Sequence, residues 1–265
     1  MDAIPIWLAF AGTFLIVMAG SEAGYWLAHF IRRRSADGES SDSTGTGAIL
    51  GLSAFMLAFT FGIVSERYSE KKALVRQDAN AIRTAWQRSD FLPEADRAEA
   101  KTLLKQYVDQ RLAFTAQKSF EAERVASVLS QTKQLQDRLW DMAVANARKD
   151  MNSDVAALYL ESLNEIFAVH ATRVAVGIQA RIPGEVWLVL LGITILGMIS
   201  MGYHTKMGGA KRSLRRPALA VAFALVFGLT VALDRPGSGI LSVTQQPLVD
   251  LRDSMIADAE RALRQ

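Results

Sequence analysis

The chain has 265 residues, half of them hydrophobic and 22% charged, with a net charge of +3 and no cysteine. The missing thiols exclude disulfides, thiolate nucleophiles and cysteine–zinc sites. Much of the positive charge sits in two short stretches at the ends of apolar runs, Arg32–Arg34 and Lys206–Arg216, which is the pattern of membrane-topology signals and argues against a nucleic-acid partner.

The first apolar run, Pro5–Phe30, has Asp2 as its only early charge and lacks a basic n-region, so it reads as an uncleaved span and not as a signal peptide. Three more runs follow: Gly47–Val64, Pro183–Tyr203 and Pro217–Leu233. Each meets or approaches the roughly 20 residues that a helix rising about 1.5 Å per residue needs to cross hydrocarbon. Glu22 is the one carboxylate well inside a span, ten positions before Arg32 and so roughly 15 Å from that basic boundary. An ionisable group at that depth needs a partner or a water-filled cavity. It is read either as a functional intramembrane charge or as a carboxyl satisfied by Ser21 or another helix.

Span two carries two faces. Gly47, Gly51, Ala54, Ala58 and Gly62 recur at three- and four-residue steps and form a small face of the kind that lets helices approach in lipid. Phe55 and Phe59, one turn apart and continued by Leu52 and Ile63, form a bulky face. In a ring of subunits such a stripe makes a hydrophobic pore constriction; the plainer alternative is contact with lipid or a neighbouring helix.

Residues 65–182 are too charged for hydrocarbon, contain one proline, Pro93, and show no strand-like alternation. Span two is predicted to continue as helix to about Trp86 and to break at Ser89–Pro93. Helices follow at Glu94–Ala116 and about Phe120–Arg148, and a fourth is capped by Asn152–Ser153 and presents Leu158, Leu163, Phe167 and Val174. An even number of helices returns the chain to span three, which makes an antiparallel four-helix bundle standing on the membrane. Asn80, Asn164, His170 and Arg173 lie on or beside its apolar stripes and are candidates for a polar core that holds an anion or an internal salt bridge. In the tail, Thr244 or Gln245 caps and Pro247 opens an amphipathic helix carrying Leu248, Leu251 and Met255, expected to pack on the bundle or on a neighbouring subunit.

The expected fold is therefore all-α. Residues 1–64 hold two spans, 65–182 an extramembrane bundle inserted between spans two and three, 183–233 two further spans, and 234–265 a tail. The basic loops after spans one and three place the N-terminus, the bundle and the C-terminus on the outer face of a bacterial inner membrane. No GxSxG, P-loop or HExxH sequence occurs, and His29, His170 and His204 lie in different regions. No enzyme, cofactor or metal site is expected.

Several segments together resemble one family. Gly47-Ala48-Ile49-Leu50-Gly51-Leu52 with Ala58-Phe59-Thr60-Phe61 is similar to its second-span motif, and Arg67-Tyr68 and Asp78-Ala79-Asn80-Ala81-Ile82 to the stretch that follows. Leu92-Pro93 resembles its helix break. Asn164, His170 and Arg173 resemble its fourth-helix residues, and Leu233-Asp234-Arg235-Pro236 with Gln246-Pro247-Leu248 its closing stretch. This is the bestrophin-like family of bacterial membrane proteins. The resemblance implies a relation to bestrophins, pentameric anion channels whose second span lines the pore with a hydrophobic neck, and makes Phe55 and Phe59 neck candidates. Implied partners are the lipid bilayer, further copies of the chain and inorganic anions. The chain departs from bestrophins in lacking their acidic calcium clasp and in a charge bias that favours the opposite topology. A non-conducting sensor or scaffold, whose bundle and tail bind a partner, is the second expectation.

Overall fold

A computed structural model describes residues 6–32, 44–116, 122–179, 182–207, 215–234, 243–262 and 264. All regular structure among them is helical. The order is α1 (Ile6–Arg32), α2 (Thr44–Arg88), a 3₁₀ turn (Ser89–Phe91), α3 (Glu94–Thr115), α4 (Ala122–Ala147) and α5 (Asp154–Val174). A π-helical turn (Ala175–Gln179), α6 (Gly184–Met207), α7 (Arg215–Asp234) and α8 (Gln246–Ala262) complete it. Helices α1, α2, α6 and α7 are long and apolar enough to cross a membrane. The chain divides into two compact units. One takes in α1, α2 as far as Tyr68, α6 and α7; the other takes α2 from Ser69 together with α3, α4, α5 and α8.

The first unit is held by close helix approach. A Cβ added to Gly24 would lie 1.9 Å from the carbonyl oxygen of Ile199, and one on Gly202 would lie 2.0 Å from that of Ser21. Gly20 and Gly24 thus let α1 rest directly on the backbone of α6, the small-xxx-small packing that substitutes in lipid for a hydrophobic drive. Gly197 makes the same room for Leu50 of α2, whose side chain would stand 2.6 Å from its added Cβ. Two hydroxyl pairs tie α2 to α6, Thr46–Ser200 at 2.5 Å and Ser53–Thr194 at 2.7 Å. In a membrane each such bond contributes of the order of 1 kcal/mol. Leu57, Leu190, Phe223 and Phe227 fill the remaining space between α2, α6 and α7.

The second unit has an ordinary water-soluble core. On α2 the buried positions Val75, Ala79, Ile82 and Trp86 recur at helical spacing. They meet Leu103, Leu104, Tyr107 and Val108 of α3, Leu139 of α4, and Tyr159, Leu163 and Ile166 of α5. The break after α2 is local: Ser89 Oγ donates to the Trp86 carbonyl at 2.6 Å, and extended Leu92 precedes Pro93 as proline demands. Acidic Glu94 and Asp96 then favour the amino end of α3. Ser153 caps α5 by accepting from the Ala156 amide at 3.2 Å.

One expectation needs correction. The buried face of α5 runs through Tyr159 and Ser162, while Leu158 is 40% exposed. The outer part of α2 with α3, α4 and α5 makes the four bundle helices. α8 joins the core through Leu248, Leu251 and Met255, and the Trp86 indole donates to Asp258 at 3.2 Å. Thr244 precedes that helix and accepts from the Gln246 amide.

Candidate functional site

Within the first unit, one face of α2 packs and the other is bare. Thr46, Ser53, Leu57, Thr60 and Val64 are buried. Leu52, Phe55 and Phe59 are 51, 66 and 61% exposed and form one stripe at steps of three and four. Beside it Gly47, Gly51, Ala54, Ala58 and Gly62 are also exposed. Among the described residues, nothing beyond the helix's own backbone lies within 4 Å of a Cβ built on Gly47, Gly51 or Gly62. No described helix of the same chain therefore covers the small face or the aromatic stripe.

Glu22 has a partner that the sequence did not suggest. The Arg216 guanidinium, 3% exposed, lies 3.5 Å from the Glu22 carboxylate and 3.5 Å from Ser21 Oγ. It also sits over the Tyr25 ring at 5.3 Å, and Lys206 approaches the same tyrosine hydroxyl at 3.4 Å. Arg216, read from the sequence as a loop charge, is thus an interior residue reaching back from the first turn of α7. Glu22 belongs to the basic end of this unit, where Lys206 closes α6.

The second unit buries a polar cluster centred on Asp78, which is fully buried. Arg173 of α5 donates a hydrogen bond to its carboxylate, and Arg111 of α3 stands 3.8 Å away. The arginine side chains are 13 and 12% exposed. Arg111 donates to the Tyr107 hydroxyl and approaches His170 Nδ1, both at 2.6 Å. Arginine only donates, so Nδ1 accepts and the imidazole is neutral with its proton on Nε2. Burial, reinforced by the Arg111 charge, lowers the His170 pKa to about 4. Burial likewise pushes the Tyr107 and Tyr159 hydroxyls up. Arg173 reaches Gln245 at 3.3 Å and Gln245 donates to the Val243 carbonyl at 3.0 Å, so the segment before α8 closes the cluster.

Of the expected polar core, His170 and Arg173 come together here, whereas Asn80 and Asn164 are exposed and belong to the outer surface. On α2 and α5 these amides sit off the buried stripes, one and two positions from Ala79, Asp78 and Leu163, and about 100° per residue carries them outward. Asp78, Arg111 and Tyr107 were the residues to find. Among the described residues no group of three or more His, Asp or Glu could hold a metal ion.

Comparison with known proteins follows from this geometry. Residues 15–248 match the model of the Bestrophin-like domain. Crystal structures of a bacterial bestrophin homologue from Klebsiella pneumoniae, in variants with single substitutions, share the fold. One superposes with a TM-score of 0.68 at 14% identity over 95% of this chain and 98% of that one. Another gives 0.64 at 15% identity over 95% and 99%. A structure described only as a membrane protein gives 0.66 at 14% identity over 98% of each chain. No curated protein matches.

Proposed function

This chain belongs to the bestrophin-like family, and from that premise we propose that it forms an oligomeric membrane channel for small inorganic anions, its pore lined by α2. The observation that carries the proposal is the bare stripe of Leu52, Phe55 and Phe59 beside a small face that no described residue of the same chain covers. A ring of subunits gives both faces a role. The glycines and alanines accept the neighbouring subunit, and the aromatic residues converge on the axis as a hydrophobic constriction that gates by dewetting. Five copies close the ring, by analogy with bestrophins. Glu22, held by Arg216, tunes the charge at the basic end. The two basic loops support an inner-membrane arrangement with the bundle and both termini in the periplasm.

Reconstitution tests this reading. The purified particle should weigh a multiple of the 29.1 kDa protomer, and in liposomes it should release trapped chloride faster than empty vesicles do. A single-protomer particle, or efflux equal to that of empty vesicles, sinks the proposal.

A further inference from the structure

We propose that the bundle holds a binding site for a small organic monocarboxylate with an apolar tail, distinct from the pore. The second unit contains a cavity of about 400 Å³ whose walls include Phe114, Val125, Val128 and Leu129, with Arg111 and Arg173 among its polar lining. That is the size and character of a small-molecule site, mostly apolar with a few fixed polar groups. The π-helical turn after α5 contributes Val176 and Gly177 to the lining, and such turns are uncommon and frequent at functional sites.

Charge decides the class of ligand. Arg111 and Arg173 bring two positive charges, and Asp78 is the only carboxylate among the described residues that acts on Arg173 or on His170. The imidazole is neutral, so Asp78 and the two arginines carry one net positive charge in a largely buried place, and Lys71 adds a cation to the same lining. Burying an unbalanced charge is unfavourable. Hydrogen bonding is also incomplete: the Arg111 Nε and one Asp78 carboxylate oxygen are both buried without a hydrogen-bond partner, and unsatisfied buried groups are uncommon in native proteins. One carboxylate would supply the missing charge and accept from the guanidinium, which is built to hold it in two places. A bare inorganic ion would leave the walls from α3 and α4 facing water. The apolar tail answers those walls, because removing their surface from water is favourable.

Calorimetric titration of the full-length, detergent-purified protein tests the proposal, with phenylacetate as the probe and phenylacetamide and inorganic phosphate as controls. Saturable phenylacetate binding is expected, at least ten-fold tighter than either control. Val128→Trp, which fills the cavity and leaves the charges in place, should weaken it more than ten-fold. Val125→Trp, also on the wall from α4, should do the same and serves if the first variant misfolds. No saturable binding, equal binding of the amide, tighter binding of phosphate, or binding unchanged in a folded tryptophan variant would each overturn the site. None of these outcomes bears on chloride efflux, so failure of the site and failure of the pore are separable.

Discussion

Asp78→Ala is expected to be the most damaging single substitution in the helical bundle, lowering its stability by about 3–5 kcal/mol, the usual effect of stranding a buried charge. The carboxylate is wholly enclosed and answers two guanidinium groups that are themselves nearly enclosed. Without it, Arg173 and Arg111 face each other and a neutral imidazole, with no other described carboxylate acting on Arg173. The contrast is Asp137→Ala. That residue pairs with Lys133 on α4 at 2.8 Å, but the side chains are 58 and 73% exposed, so its loss should change stability by no more than about 0.5 kcal/mol. Melting followed by near-ultraviolet circular dichroism separates the two cases. In a double-mutant cycle, Arg173→Met should restore part of what Asp78→Ala removes, because it withdraws one stranded charge. An Asp78→Ala protein that melts with the wild type would mean that water reaches the cluster.

Gly24→Leu should be equally severe in the membrane unit. A single Cβ at that position already overlaps the Ile199 carbonyl, and backbone atoms cannot rotate out of the way as a side-chain tip can. Overpacking in a close-packed site costs about 1–3 kcal/mol and sometimes more, and here α1 must leave α6 altogether. The expected result is loss of the monodisperse detergent-solubilised particle in size-exclusion chromatography. Gly51→Leu provides the informative comparison, because no described residue from another helix lies within 4 Å of a Cβ at Gly51. It should leave the protomer folded and weaken association between copies, giving a smaller particle. A Gly24→Leu protein that elutes like the wild type would contradict the close α1–α6 crossing.

What the sequence revealed and what it withheld have a common physical origin. The four spans were legible because span length and apolar content are local properties. The ends of α2, α3 and α5 were legible for the same reason, since Pro93 and Ser153 act within a turn. The charged core was harder. Asp78 lies in the run Val75-Arg76-Gln77-Asp78-Ala79-Asn80, where an acid beside a base reads as surface, and its partners are 33 and 95 positions away. The signal was nevertheless present, because Val75, Asp78, Ala79 and Ile82 fall on one helical stripe. The same arithmetic would have turned Asn80 outward. In span one, Gly20 and Gly24 are the contact surface for α6, and no local feature announces which helix they meet. Arg216 resembled one more loop charge because nothing local shows that a long side chain folds back onto Glu22.

The central claim is that the bare face of α2 borders water inside an assembled ring and not lipid outside it. The absence of native cysteine makes single-cysteine labelling the most direct measurement. Leu52→Cys, Phe55→Cys and Phe59→Cys proteins, reconstituted in liposomes, should react with a charged, membrane-impermeant thiol reagent and change their chloride efflux on reaction. Leu57→Cys and Val64→Cys, on the packed face, should do neither. If the three exposed-stripe cysteines ignore the charged reagent and react only with a lipid-soluble one, the stripe faces acyl chains and α2 lines no pore.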